Sequence, residues 1–273
     1  MPSYQPVTQA SHGARRLRQP AGYQFAATQT YARLLAYEMA AVLTNQPMAF
    51  VRSNDEFVPV AVQSLHAGRN LYVSPDGRWL AGYLPAVYRL YPFILGEQAD
   101  GRLVLCVDED SDRLSDTEGE PLFDSEGRNT ATLDAVVKQV QQFAGQQQAT
   151  ARVCEGLARH QLLVPWEIKL RTEGVAEPAT VQGLYRVDET ALNALPDDAF
   201  LELRRLGALQ VAWCQLLSMR HLPLLQQLAD GHGRLAAGAG ATGQAAAGQG
   251  ARAAAPVSLD FLSKDGPIDL GGL

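Results

Sequence analysis

Residues 48–65 of the chain read MAFVRSNDEFVPVAVQSL. Two runs of β-branched, aromatic and small apolar residues lie on either side of Ser53-Asn54-Asp55. Such runs favour β-strands, while Ser, Asn and Asp favour turns. The stretch therefore predicts two antiparallel strands joined by a short turn.

The chain that follows repeats this pattern of apolar runs around turn residues. Asp-Gly steps at 76–77 and 100–101 supply the positive φ values that tight hairpins need. The pattern predicts an antiparallel β-meander through the middle of the chain, followed by two later strands. The paired runs are NLYVS (70–74) with RWLAGY (78–83) and PFILGEQ (92–98) with RLVLCVD (102–108), and the later runs are EIKLRTE (167–173) and TVQGLYRVD (180–188).

Helical periodicity appears on both sides of this meander. Apolar residues recur at helical spacing over 29–43 and over 130–144, and a further helix is predicted over 150–163 with Gly145 at the joint. Pro196-Asp197 opens another helix. Together these elements predict an α+β domain over residues 1–230, with an antiparallel sheet packed by several helices.

The C-terminal part of the sequence has a different composition. Of the 26 residues from 231 to 256, 18 are Gly or Ala, too little side-chain surface to offset the conformational entropy lost on folding. We predict a disordered Gly/Ala-rich tail with a flexible linker over 231–256. The short apolar and acidic segment 257–273 either folds back on the domain in cis or docks on a partner in trans.

Charge and composition exclude several classes of protein. The chain has 23 Lys and Arg against 29 Asp and Glu, a net charge of −6, so we expect no nucleic-acid partner. Polar residues interrupt the longest apolar helical stretches, so we expect no membrane span. Three widely spaced cysteines indicate free thiols in a reducing compartment, and the first 20 residues lack the apolar core of a secretory signal. Both features favour a cytoplasmic location.

Two segments resemble a cofactor-binding motif and a metal-binding motif, but the residues around each do not support such a site. Residues 238–243 spell G-x-G-x-x-G, but no strand precedes them and the tract is low in complexity. Asp108, Asp110 and Asp112 resemble the start of a calcium loop, yet Arg113 and Gly119 occupy the positions of the sharp turn and the closing ligand. We therefore expect no metal or cofactor.

An aromatic and arginine-rich stretch, residues 69–93, is the densest feature of the sequence. Six aromatic residues fall between positions 72 and 93 and are interleaved with arginines. Rings beside guanidinium groups form good recognition surfaces. The alternative is that the rings form the core of the sheet and the acidic loop anchors the arginines. The candidate binding residues are Arg69, Arg78, Trp79, Tyr83, Arg89 and Tyr91.

The segment 108–126 is strongly acidic, with a single basic residue, Arg113. This composition predicts a solvated loop. A second functional hypothesis is an enzyme that modifies a protein or small metabolite, with Glu109 and Asp112 as acid–base candidates. A deep pocket with buried carboxylates would favour that enzyme, and an exposed aromatic patch would favour a docking protein.

The order of several separate motifs resembles that of the bacterial SapC family, from about Gln5 to Leu228. One departure is Leu90, where the family typically carries a second arginine before Tyr-Pro-Phe, so we assign no role to an arginine pair. The matching motifs are NLYVSPDGRW (70–79), Tyr83, Pro85, Arg89, YPF (91–93), LCVDEDS (105–111), GEPLF (119–123), Gly127, GLYRVDE (183–189), LRRLGAL (203–209) and LLSM (216–219).

The resemblance implies a functional context more than an activity. The family is named for linkage to surface-layer (S-layer) protein genes, and relatives often lie beside genes for TonB-dependent receptors, cupin-like hydroxylases and flavin-dependent halogenases. With the aromatic and arginine-rich stretch, this context predicts a non-catalytic accessory protein. Such a protein would bind a protein or peptide partner in a surface-layer or outer-membrane uptake system.

Overall fold

The computed structural model describes residues 3–97, 102–170 and 179–245 of the chain. The chain divides into one unit of Met1–His232 and a second of Gly233–Leu273. In the second unit the described residues continue a helix to Ala245. Residues 246–273, and with them the predicted segment 257–273, lie outside the described residues, so the division of the tail stays a prediction.

The strands are short and antiparallel. In chain order they are β1 (Tyr4–Pro6), β2 (Arg16–Leu17), β3 (Tyr31–Arg33), β4 (Met48–Ser53), β5 (Glu56–Val62), β6 (Phe93–Glu97), β7 (Leu103–Asp108), β8 (Leu114–Ser115), β9 (Glu120–Pro121), β10 (Leu163–Pro165), β11 (Ile168–Leu170), β12 (Ala179–Val181) and β13 (Leu184–Val187).

The predicted hairpin of residues 48–62 lies at the centre of the largest sheet, whose strand order is β10-β13-β4-β5-β3. Ser53 pairs with Glu56, and Asn54 and Asp55 between them have φ values of 50° and 63°. Two successive positive φ values define the two-residue turn that suits the twist of a hairpin. This prediction is confirmed.

Among the residues that the structure describes, the other strands form three smaller sheets. Their orders are β1-β7-β6, β8-β2-β9 and β11-β12. The pairing of β6 with β7 confirms the predicted strands around the Asp100-Gly101 step, although residues 98–101 themselves lie outside the described residues. The predicted strands at 70–83 are reduced to one isolated bridge, Val73 with Trp79. Ser74 and Arg78 close the turn between them through backbone and hydroxyl hydrogen bonds of 2.9 to 3.1 Å.

The helices cover the sheets and confirm the α+β class. They are α1 (Gln9–His12), α2 (Met39–Val42), α3 (Ala86–Leu90), α4 (Ala131–Arg159), α5 (Glu189–Asn193), α6 (Asp197–Leu206), α7 (Ala208–Ser218) and α8 (Leu222–Ala245), with 3₁₀ turns at Gln24–Ala26, Ala36–Glu38 and Met219–His221.

Two helix predictions are wrong in their extent. Residues 29–43 form β3, a 3₁₀ turn and α2 instead of one helix, because Tyr31–Arg33 pair with Val60–Val62 of β5. The predicted joint at Gly145 is absent, since α4 runs unbroken from Ala131 to Arg159. Gly145 is exposed and its Cα faces open space, so the helix interior tolerates it at the usual cost of about 1 kcal/mol.

Apolar clusters cover both faces of the largest sheet. One cluster joins Phe50 of the sheet to Leu157 of α4, Leu203 of α6 and Ala212 of α7. A second joins Val60 to residues that include Leu225 of α8. A third, around Phe93, Val107 and Leu133, holds α4 against the sheet of β6 and β7. Within the described ranges, no helix combines the length and apolar character needed to cross a membrane.

Candidate functional site

Three of the six predicted binding residues either pack against the core or are exposed to solvent. Arg69 is exposed, and exposed Arg78 is paired with Asp76 at 2.7 Å. Trp79 is half-buried between two apolar clusters and donates its indole N–H to the Tyr83 carbonyl oxygen at 2.9 Å. Its ring contacts Tyr23, Tyr72 and Tyr88 with centroids 5.7 to 6.2 Å apart. The position of Trp79 agrees with the alternative hypothesis, in which the aromatic rings form the core of the sheet.

Arg89 and Tyr83 form a surface pair. The Arg89 guanidinium lies over the Tyr83 ring, 5.3 Å from its centroid, and donates to the Tyr83 hydroxyl oxygen at 3.1 Å. A cation over an aromatic face is attracted by the negative face of the ring. The structure therefore brings these two predicted residues together on α3 and the loop before it.

A buried carboxylate, Glu38, lies near this pair. Its two oxygens accept hydrogen bonds from the Leu35 N–H at 3.0 Å and the Ala86 N–H at 2.9 Å. Burial raises the pKa of the Glu38 carboxyl group above its usual value, although both backbone bonds and nearby Arg89 act in the opposite direction. Glu38 thus fixes the start of α3, which carries Arg89.

The sixth predicted residue, Tyr91, lies in what we call the aromatic groove, a cavity of about 630 Å³ between β3, α3 and β6. Its walls also carry Val87, Ile94 and Ala32, together with the polar side chains of Thr28 and Gln29. Six aromatic rings line it: Tyr4, Phe25, Tyr31, Tyr88, Tyr91 and Phe93.

Carboxylates stand at the Tyr91 side of the aromatic groove. The Asp108 carboxylate accepts hydrogen bonds from the Ser3 N–H at 3.0 Å, the Asp110 N–H at 3.3 Å and the Tyr91 hydroxyl at 3.3 Å. Burial, and then the charge of Asp108, raise the pKa of Tyr91. Tyr91 therefore stays a neutral hydrogen-bond donor at neutral pH.

Two sheet edges border the aromatic groove. Tyr31 and Arg33 belong to β3, and Ile94 belongs to β6; each strand is the last of its sheet. The Leu34 N–H donates to the Pro59 carbonyl oxygen of β5, and the Thr30 carbonyl oxygen accepts from Gln63 directly after β5. The alternate backbone groups of β3 therefore face away from the sheet. These groups have no strand partner within the described part of the chain.

A second concave surface runs along the other side of α3, and we call it the arginine groove. It consists of two adjoining cavities of about 410 and 530 Å³ that share Arg89, Leu90 and Gln139. One wall is α3 with Arg113, and the other is the first half of α4. The short helix α3 therefore contributes side chains to both grooves.

The enzyme candidates Glu109 and Asp112 line neither groove. The Glu109 carboxylate lies 2.7 Å from Nε2 of His12 and 3.7 Å from Arg15, while Asp112 is exposed. His12 is 0% exposed, and the Thr8 N–H donates to its Nδ1 at 3.2 Å. Nδ1 also lies 3.3 Å from the Thr8 carbonyl oxygen, so Thr8 offers this ring nitrogen both a donor and an acceptor, while Nε2 faces Glu109. The pair ties the N-terminal segment to the end of β7.

Potential metal ligands are scattered. Within the residues that the structure describes, no group of three or more His, Cys, Asp or Glu side chains could hold a metal ion. The cysteines Cys106, Cys154 and Cys214 are free and buried.

Sequence reasoning missed several residues of both grooves. Phe25 and Tyr31 precede the aromatic and arginine-rich stretch and reach the aromatic groove only through tertiary packing. The arginine groove had a signal in the sequence, because Gln139, Gln142 and Gln146 recur at helical spacing on one side of α4.

Comparison with known proteins gives one result. The model of the SapC family matches residues 7–225. The comparisons with curated proteins and with solved structures each gave no match.

Proposed function

Because the chain belongs to the SapC family, and because one of its grooves is lined by aromatic rings and bordered by strand edges, we propose that it is a non-catalytic accessory protein. It binds an extended segment of a protein partner in the aromatic groove. The observation that carries this proposal is the position of that groove between β3 and β6.

The volume and lining of the aromatic groove support peptide binding. About 630 Å³ lies within the range of ligand pockets, and the rings offer apolar surface with hydroxyl groups that hydrogen-bond. Tyr31 and Ile94 at its border are 44% and 37% exposed. Exposed large apolar side chains beside a groove are typical of interaction sites.

The strand edges support an extended conformation for the bound segment. A peptide that adds to a sheet edge gains main-chain hydrogen bonds, while alternate side chains enter pockets. The backbone groups of Tyr31 and Arg33 that face away from β5 would supply those bonds. Val87 and Tyr88 of α3 would contact its side chains.

The biological setting of the proposal comes from the family context. We propose that the partner belongs to a surface-layer or TonB-dependent outer-membrane uptake system. We also propose a cytoplasmic location, in keeping with cysteines that are all free, as expected in a reducing compartment.

The binding hypothesis is preferred to the enzyme hypothesis on accessibility. An acid–base residue must come within hydrogen-bond reach of its substrate. Glu109 is already paired with buried His12 and with Arg15, and neither Glu109 nor Asp112 lines either groove.

A peptide selection tests the proposal. A random-peptide display library is selected on the full chain, and each captured peptide is measured against Tyr31→Ala. Loss of an exposed ring that contacts the ligand should weaken binding by about fivefold or more for peptides in the aromatic groove.

Phe200→Ala is the matched control, because Phe200 is a similarly exposed ring, at 41%, on α6. Peptides that bind in the aromatic groove should keep their affinity for this variant. The proposal is wrong if every captured peptide binds Tyr31→Ala as tightly as it binds the wild-type chain.

A further inference from the structure

The arginine groove has a charge opposite to that of the whole protein. Arg89 and Arg113 line it, and no carboxylate does. The net charge of the chain is −6. A positively charged furrow on an acidic protein attracts acidic ligands.

The two arginines hydrogen-bond to neutral oxygens, although the charge of Glu38 acts on Arg89 and that of Asp112 acts on Arg113. Arg113 donates to the carbonyl oxygens of Arg18 and Tyr91, and Arg89 donates to the Tyr83 hydroxyl. Neither forms an ion pair with a described carboxylate, whereas Arg15, Arg18 and Arg78 all do.

Arg113 is partly buried and forms no ion pair with a described carboxylate, and this is energetically unfavourable for its charged guanidinium group. Burial lowers the pKa of its guanidinium group, and the exposed Asp112 offsets this only in part. A guanidinium withdrawn from water without a carboxylate is less stable than one that is paired. A ligand carboxylate in the groove would supply that pairing.

The second wall of the groove is long, neutral and hydrogen-bonding. Its residues on α4 run from Ala131 to Gln146, which corresponds to about 22 Å along the helix axis. Ala131 and Ala135 allow close approach, and Gln139, Gln142 and Gln146 offer amide donors and acceptors. This length suits a segment of polypeptide better than a compact metabolite.

Apolar side chains separate the polar positions. Leu90 and Phe93 lie on one side, and Val136 and Phe143 lie on the other. A segment that carries apolar residues between its acids would bury them there, gaining about 25 cal/mol for each Å² of apolar surface removed from water.

We propose that the arginine groove binds an acidic, partly apolar segment of a partner polypeptide. Arg89 and Arg113 bind its carboxylates, and the glutamine side chains of α4 bind its backbone. This site shares Phe93 with the aromatic groove but opens on the other side of α3, and the inference does not depend on the function proposed for the aromatic groove.

A single charge on α4 tests the inference without disturbing the core. The random-peptide display library described above is selected on the full chain and on Gln139→Glu. Gln139 is exposed and common to both cavities, so the substitution places a carboxylate inside the groove. Peptides that bind there should lose about fivefold or more in affinity, and these peptides should be rich in Asp and Glu.

Gln141→Glu is the matched control, because Gln141 is an exposed glutamine of the same helix that lines neither cavity. It should leave the affinity of the same peptides within about twofold, since an exposed charge outside the groove is screened. Gln139→Arg should tighten their binding. Fluorescence anisotropy with each labelled peptide measures these affinities, and NaCl at about 0.5 M should weaken them.

The inference is overturned if no captured peptide loses affinity for Gln139→Glu. It is also overturned if the peptides that lose affinity are no more acidic than the library, or lose as much on Gln141→Glu. Binding to Tyr31→Ala separates the two proposals, because acidic peptides in the arginine groove should bind that variant as they bind the wild-type chain.

Discussion

The ring of Tyr91 lies flat against the ring of Phe25, with centroids 3.8 Å apart and planes inclined by 7°. Both rings line the aromatic groove. Phe25 belongs to an early 3₁₀ turn, and Tyr91 follows α3. The stack therefore joins two distant parts of the chain into one wall of the groove.

Removal of this stack should weaken ligand binding. Phe25→Leu keeps an apolar side chain but removes a ring that lines the groove, and an aromatic contact between this ring and a ligand is worth about 0.5 to 1.5 kcal/mol. We expect peptides selected for the aromatic groove to bind between about twofold and tenfold more weakly, measured by fluorescence anisotropy. Tyr91→Phe keeps the stack and is the control. Unchanged affinity in Phe25→Leu would show that the stack is no part of the binding surface.

Glu38 should give the stability of the protein a characteristic pH dependence. Burial raises the pKa of its carboxyl group above the usual 4.5. As pH rises above 4.5, the unfolded chain releases this proton before the folded chain does. Glu38 therefore lowers the free energy of unfolding progressively until the pH passes the raised pKa.

The variant Glu38→Gln removes this titration. At about pH 4 it should be less stable than the wild-type chain by about 1 to 3 kcal/mol, because an amide nitrogen cannot accept from the second backbone N–H. The difference should shrink as pH rises to about 7. Urea unfolding at a series of pH values measures it, and a difference that stays constant or grows contradicts the raised pKa.

Gln215 connects α7 to two strands of the largest sheet. It is 0% exposed; its amide donates to the Met48 carbonyl oxygen at 3.1 Å and accepts from the Val187 N–H at 2.9 Å. Gln215→Leu would leave both backbone groups buried without these partners. We expect a loss of about 2 to 4 kcal/mol in the free energy of unfolding.

Gln210→Leu is the comparison for this measurement, since Gln210 is exposed on the same helix. Its effect should stay within about 0.5 kcal/mol. Equal effects of the two substitutions in chemical denaturation would refute the role given to Gln215.

The cysteines should resist thiol reagents in the folded protein. All three are buried, and burial raises the pKa of the Cys154 thiol to about 12. Because the thiolate is the reactive form, labelling by Ellman's reagent should be slow in the native protein and rapid in guanidinium chloride. Rapid native labelling that survives Cys106→Ser and Cys214→Ser would place Cys154 at the surface.

Local sequence rules predicted the elements whose partners are close in the chain. The turn at Asn54-Asp55 and the runs beside it specify the β4–β5 hairpin, because backbone torsions and the alternation of side chains act on neighbouring residues. The β6–β7 pair follows from the same rules. The α+β class needed only this level of information.

Helical periodicity did not predict the structure correctly where pairing with a distant strand involves the same residues. Tyr31–Arg33 carry a helical pattern, but pairing with β5 provides backbone bonds and burial that a local helix would not. At Gly145 the opposite occurs. Packing of α4 against β5 and α6 keeps the helix continuous across a residue that by itself favours a break.

The concentration of aromatic rings and arginines between residues 69 and 93 can be read directly from the amino-acid order. Tertiary packing was needed to show that Trp79 packs against the core, that Tyr91 lines one groove and that Arg89 lines another. The chemistry of each side chain is known from its residue type. Whether that side chain has contact surface left over depends on neighbours from distant segments, such as Phe25, Glu38 and α4, and long-range packing alone brings these together.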